Sequence, residues 1–157
     1  MSKREINFFV AYAHKNKGLV NGFLDKLQDV LAPSKNYYYV FWKDSGLIIG
    51  EEWEKQISKA INECHFGLLL ISPAFLASKF ITENELPAFV SGTKPAIPVL
   101  LQPVDFAKHD LKGLEKQQIF RLDWPGFKKP RAYGECKPKR RETFVFELFE
   151  LIEDKLG

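Results

Sequence analysis

Cysteine is scarce in this chain, with only Cys64 and Cys136 among 157 residues. The two lie far apart and form neither a CxxC motif nor a Cys/His pair at metal-ligand spacing, so neither a disulfide framework nor a zinc site is predicted. No apolar run approaches the roughly 20 residues that a membrane-spanning helix needs, and the first apolar segment is too short for a signal peptide. We therefore expect a cytoplasmic protein with no membrane partner.

Several motifs that define enzyme classes by their spacing are also missing. The chain has no GxxxxGK[ST] loop, no GxGxxG loop, no GxSxG elbow and no HExxH pair, which excludes the classes that these motifs define. A phospho-receiver domain needs acidic residues after its first strand, where this chain has Tyr12, Ala13 and His14. The net charge of +3 is also too small to indicate nucleic acid as a direct partner.

The composition is that of one folded domain. Apolar residues make up 45% of the chain and charged residues 27%, a balance typical of globular proteins. We expect a single domain over residues 1–157, with a core at 5–125, a basic loop at 126–142 and a last helix at 143–156. The basic stretch from Lys128 to Arg141 has two open interpretations, a solvated loop or a contact surface for an acidic partner or nucleic acid.

Strand-like and helix-like segments alternate along the chain. Stripes of apolar residues at helical spacing separate the β-rich runs and can cover a sheet. Two of the runs are continuously apolar, as central parallel strands are when both faces are covered. The predicted fold is therefore an α/β, flavodoxin-like doubly wound sheet of about five parallel strands with helices on both faces. The predicted strands are Ile6 to Tyr12, Tyr37 to Trp42, Phe66 to Ile71, Ala96 to Leu101 and Ile119 to Leu122.

In such sheets, ligands bind beyond the carboxyl ends of the strands. This rule selects three loops, which begin at Tyr12, at Lys43 and at Ser72. The third loop leads into the acidic segment that contains Glu83 and Glu85. We therefore expect Glu85 to lie at the ligand-binding rim of the sheet.

Three segments carry a family resemblance. "NFFVAYAHKNKG", "YYVFWKDSGLIIGEEWEKQISKAI" and "HFGLLLISPAFLASKFITENELP" resemble the first three blocks of a Toll/interleukin-1 receptor (TIR) domain of the bacterial branch. The likeness spans residues 5 to about 105, and the final helix fits the last helix of the family. Many TIR domains cleave NAD+ at the nicotinamide-ribose bond, and some cyclise the product, whereas others are adaptors that bind one another.

The resemblance also implies which residues form the site. In the enzymes of the family, the catalytic glutamate follows the third strand, lies a few positions beyond an aromatic residue and precedes a leucine. In this chain Glu85 follows Phe80 and precedes Leu86 in the same way. This chain has one more residue between the two than its relatives, which leaves open whether Glu85 or Glu83 faces the substrate. The resemblance implies that Tyr12, Ala13 and His14 border the nucleotide and that Asp44 and Leu47 lie in the loop that gates the pocket or mediates assembly. Asp44 has an equally open interpretation as a turn residue ahead of Gly46. Phe80 either lines the pocket or packs beneath it.

One carboxylate is sufficient for the implied reaction. Nicotinamide leaves NAD+ as a neutral base, so its departure needs no general acid, and the oxocarbenium-like ribose needs only a fixed negative charge beside it. We expect Glu85 in the first turn of a helix capped by Asn84. The alternative is a capping box in which Glu85 bonds the amide of Thr82, although Pro87 would then interrupt that helix.

The leading hypothesis is an NAD+ nucleosidase, with or without cyclase activity, that acts in immune or cell-death signalling. NAD+ is its substrate, and no cofactor is expected. Other TIR domains are the expected assembly partners, together with a sensor domain that is fused or separate. An adaptor without turnover and a sensor that binds NAD-derived ligands intact are the alternatives, and the sequence leaves open whether the product is linear or cyclic.

Overall fold

The sheet is parallel and doubly wound, as predicted. The computed structural model describes residues 3–43 and 51–157, without the side chains of residues 51–53. Within these ranges, four strands pair in the order β2-β1-β3-β4, and all their pairings are parallel. The strands are β1 Arg4–Ala11, β2 Tyr37–Lys43, β3 Phe66–Ile71 and β4 Ala96–Leu100. The α/β fold class is therefore confirmed.

Burial explains the two central strands. In β3, every residue after Phe66 is buried, as its uninterrupted apolar sequence predicts for a strand covered on both faces. In β1, successive residues belong to opposite layers of the core because strand side chains alternate. Phe8 packs in one layer and Phe9 in the other.

Helices cover both faces of the sheet. The helices α1 Lys17–Leu31 and α5 Pro138–Leu156 contribute buried residues to one layer of the core. The helices α2 Glu51–Glu63, α3 Pro73–Ala77 and α4 Leu86–Val90 contribute to the other. The short helix α3 follows β3 directly, and α3 together with the segment between α3 and α4 carries much of the site described below.

The predicted fifth strand, Ile119 to Leu122, is reduced to isolated bridges. Phe120 forms one parallel bridge with Val99, whereas Leu122 pairs in antiparallel fashion with Arg131. The backbone at Leu122 thus turns away from β4 instead of continuing beside it.

A competing contact explains why this strand is short. The amide of Leu122 donates to the carbonyl of Arg131 at 3.0 Å, and the carbonyl of Leu122 accepts from the amide of Arg131 at 2.8 Å. A parallel strand that continued beyond Phe120 would need the same two groups of Leu122 for its bonds to β4. The backbone of Leu122 is therefore paired with Arg131 instead of with β4.

The boundary predicted for the last helix is also wrong. The helix begins at Pro138, not at residue 143, because proline is well tolerated in the first turn, where no intrahelical amide bond is needed. The stretch before it is not simply a solvated loop, since Tyr133 is buried. Three arginines of the basic stretch lie over aromatic rings: Arg131 over Phe127, Arg140 over Trp124, and Arg141 over Tyr133.

No helix in the described ranges is long and apolar enough to cross a membrane.

Candidate functional site

A cavity of about 360 Å³ lies beyond the carboxyl ends of β1 and β3, within the range usual for small-molecule sites. Its wall contains five of the predicted site residues, and Asp44 and Leu47 fall outside the described residues. A larger depression of about 550 Å³ exists elsewhere, but the charged residues in its wall are exposed. The rim cavity is lined by Val10, Tyr12, Ala13, His14, Lys15, Ala74, Ala77, Ser78, Phe80, Ile81 and Glu85.

The first wall is the segment that continues from β1. Tyr12 and Ala13 are buried, whereas His14 is exposed. The rings of Tyr12 and His14 stack, with centroids 5.3 Å apart and planes within 6°. A single 3₁₀ turn, His14–Asn16, then leads into α1, so this wall is held between a strand and a helix.

The second wall is formed by α3 and the segment that follows it as far as Glu85, and Ser72 joins it to the first wall. Ser72 is fully buried, follows β3 and caps α3. Its Oγ accepts a hydrogen bond from the amide of Phe75 at 3.0 Å and donates one to Oδ1 of Asn16 at 2.7 Å. Because Asn16 ends the turn of the first wall, this bond fixes the two walls relative to each other.

The helix that carries Glu85 starts earlier than predicted. Ser78 caps it by accepting a hydrogen bond from the amide of Ile81 at 3.2 Å, which is the usual bond of an N-cap side chain. The expected cap at Asn84 is therefore wrong, and Glu85 does not lie in the first turn. The capping box at Thr82 is excluded as well, because the Thr82 amide donates to the Ser78 carbonyl at 3.1 Å.

Pro87 is incompatible with a regular helix that starts at Thr82, as expected. The chain avoids the clash by widening the helix and not by starting it at Asn84. Residues Ile81–Glu85 form a π-helical turn, and α4 follows at Leu86. Such a turn contains one residue more than an α-helical turn. The one additional residue that the family resemblance implies between Phe80 and Glu85 would fit in such a turn.

Of the two candidate glutamates, only Glu85 faces the cavity. Its side chain is 4% exposed and lies in the cavity wall, whereas Glu83 is exposed and is not part of that wall. Burying a carboxylate is unfavourable unless it gains specific interactions, so a buried carboxylate beside a cavity is a candidate for function. Phe80 is half-buried, lines the same cavity and packs against the core.

Comparison with known proteins identifies the family. A family model described as the TIR domain matches residues 8–132. The chain belongs to the TIR family. One curated relative, the 2' cyclic ADP-D-ribose synthase BtTIR of Bacteroides thetaiotaomicron, is 27% identical over 101 residues. The match covers 61% of this chain and 33% of the relative, so the chain spans about a third of that protein's length.

Some wall residues of this TIR domain were not predicted from the sequence. Lys15 follows His14 in the rim loop and could have been found from its position alone. Ser78 could have been recognised as a helix cap. Ala77 and Ile81, in contrast, carry no chemical signal that separates a cavity wall from a core.

The two remaining histidines accept hydrogen bonds from backbone amides. Nδ1 of His65 accepts a hydrogen bond from the Asn7 amide at 2.9 Å, and Nδ1 of His109 accepts one from the Asp105 amide at 2.8 Å. Neither lines the rim cavity. Among the described residues, no group of three or more His, Cys, Asp or Glu side chains could hold a metal ion.

Proposed function

We propose that this TIR domain cleaves NAD+ at the nicotinamide-ribose bond, with Glu85 as the catalytic carboxylate. The observation that carries the proposal is the burial of Glu85 in the wall of a rim cavity. Tyr12, Ala13 and His14 share that cavity, and their proposed role is to hold the nucleotide. The name of the Bacteroides relative, a cyclic ADP-ribose synthase, supports the same substrate class.

The proposed step breaks the C–N bond between ribose and nicotinamide. The electron pair of the bond leaves with nicotinamide, which becomes neutral, and positive charge develops on the ribose. A carboxylate fixed beside the ribose stabilises this charge without reorganising, and it does so more strongly where water is excluded. Either water adds to the ribose carbon and loses a proton, or a hydroxyl of the same molecule adds to that carbon, loses its proton and closes a ring.

The proposed setting follows from the family. NAD+ is the substrate, other TIR domains are assembly partners, and the reaction serves immune or cell-death signalling in the cytoplasm. A sensor domain, fused or separate, would control the assembly.

The test compares Glu85→Gln with Glu83→Gln. Each variant removes one negative charge at constant side-chain size, but only Glu85 lines the cavity. Nicotinamide release from NAD+ is followed by chromatography at high protein concentration, and the nucleotide products are identified in the same runs. We expect Glu85→Gln to lower kcat by a factor of about 100 or more, the usual cost of removing a preorganised electrostatic group. Glu83→Gln should stay within about twofold of the wild type because its side chain is exposed.

Two results would contradict the proposal. In the first, Glu85→Gln turns over NAD+ as fast as the wild type. In the second, the wild type is inert even when it is assembled, which would favour the adaptor alternative.

A further inference from the structure

The π-helical turn Ile81–Glu85 has a direct effect on the position of Glu85. The amide of Leu86 donates to the carbonyl of Ile81, five residues earlier, whereas an α-helix would use the carbonyl of Thr82. Single π turns inside α-helices are uncommon, but those that exist are frequently found at functional sites. The turn adds one residue to the helix and so changes which side chains face the cavity.

The turn brings Phe80 and Glu85 to the same side of the helix. In an α-helix, five residues at about 100° each would place these side chains about 140° apart. In a π turn, the bonding from residue i to i+5 closes one turn over the same five residues, so both can line the cavity, as they do. A regular helix would instead place Asn84, four residues after Phe80, on that side. In the observed turn, Asn84 is exposed.

Side chains within the turn satisfy carbonyls near it. Oγ1 of Thr82 shares its single hydrogen between the carbonyl of Ser78 at 3.0 Å and that of Lys79 at 3.2 Å. Nδ2 of Asn84 donates to the carbonyl of Phe80 at 3.2 Å. These bonds lower the cost of a turn whose backbone bonding is irregular.

Pro87 disfavours the alternative helix. It has no amide to donate to the Glu83 carbonyl, and in a regular helix its ring would crowd that carbonyl. The proline therefore penalises the α-helical form, while the side chains of Thr82 and Asn84 bond carbonyls at the start of the π turn.

We propose that Thr82, Asn84 and Pro87 are positioning residues that hold the π turn and thereby keep Glu85 in the cavity. Their effect on catalysis rests on the proposed function. Their effect on the position of Glu85 does not, and it can be measured without turnover.

The first experiment measures the turn itself. In the double variant Asn84→Ala/Pro87→Ala, the π turn loses a side-chain donor and the α-helix gains an amide. Hydrogen-bond scalar couplings in NMR spectra identify the carbonyl that accepts from the Leu86 amide. We expect Ile81 in the wild type and Thr82 in the double variant. Pro73→Ala is the matched control, because this proline occupies the first turn of α3 and its replacement should leave the Leu86 acceptor unchanged.

The second experiment measures the position of residue 85 by thiol alkylation. Both native cysteines are buried, so Glu85→Cys introduces the thiol to be followed. We expect slow alkylation in the wild-type background and at least about tenfold faster alkylation in the double variant, because the side chain leaves the cavity wall. Glu83→Cys should react rapidly in both backgrounds, since Glu83 is already exposed.

The third experiment measures catalysis and its rescue. The double variant should lose about 100-fold in kcat, as expected for a misplaced catalytic group, with KM within about threefold because the wall at Tyr12 and His14 is unchanged. Deleting Glu83 from the double variant leaves Phe80 and Glu85 four residues apart, about 40° on a regular helix. This deletion should therefore restore kcat.

The three experiments separate the two proposals. An unchanged Leu86 acceptor, unchanged alkylation of the introduced thiol, or a changed acceptor with unchanged kcat would each overturn the positioning role. If the wild type released no nicotinamide, the proposed function would fail, and the couplings and alkylation rates would still decide the positioning role.

Discussion

Replacing Ser72 by alanine tests how firmly the two walls of the cavity are joined. The change removes the cap of α3, worth about 1 kcal/mol, and the hydrogen bond from Oγ to Asn16, worth about 1 kcal/mol when both partners are protein groups. Ser72 is fully buried, so solvent cannot readily replace the lost oxygen. The free energy of unfolding should therefore fall by about 2 kcal/mol.

The assay is urea unfolding of Ser72→Ala beside Ser91→Ala. Ser91 is exposed and its hydroxyl bonds the Ala88 carbonyl, so its replacement should cost less than about 0.5 kcal/mol. The unfolding midpoint should shift for Ser72→Ala at an unchanged slope with denaturant concentration. A loss below about 0.5 kcal/mol in Ser72→Ala would refute the reasoning, because the buried hydroxyl would then contribute no more than an exposed one.

Three further predictions concern the core. Burial raises the pKa of Tyr39 above its ordinary value of 10, so the folded state keeps a proton that the unfolded chain loses. The free energy of unfolding should therefore fall as the pH rises above about 10, and it should fall less steeply in Tyr39→Phe. Equal slopes of unfolding free energy against pH in the two proteins would contradict this prediction. Burial also raises the pKa of the Cys64 thiol, so alkylation followed by mass spectrometry should modify it only after unfolding. Gly67→Ala should cost about 1–3 kcal/mol in urea unfolding, since its Cβ would meet the Phe89 ring at 2.4 Å, whereas Gly22→Ala, in open space, should cost nothing.

The strands were predicted correctly from the sequence where the local pattern of apolar residues was sufficient to determine them. The run Phe66 to Ile71 has the same bounds in the structure as in the prediction, because a continuous apolar segment with polar neighbours can be buried in only one way. The run Ile119 to Leu122 also has strand character. It failed to extend the sheet because Arg131, which lies outside this run, bonds both the amide and the carbonyl of Leu122. Propensity is local, but competition for a backbone partner is not.

The location of the rim cavity was predictable for a similar reason. The rule on strand ends requires only the strand order, and Tyr12 and Glu85, which it placed at one rim, line the same cavity. The start of the helix was not predictable from Pro87 alone. The proline indicated that a regular helix from Thr82 would be strained. It did not indicate whether the helix would start later or would widen into a π turn.

Burial on both sides of the turn decides between these two outcomes. Ile81 and Leu86 are five residues apart, yet both are buried, at 3% and 2% exposure, and both pack in the same layer of the core. On a regular helix their side chains would point about 140° apart, so one of them would lose its burial, worth about 1.5–3 kcal/mol for a side chain of this size. A later start at Asn84 would leave Ile81 outside the helix. The widened turn keeps both residues in the core, and the same geometry that satisfies them places Glu85 in the cavity.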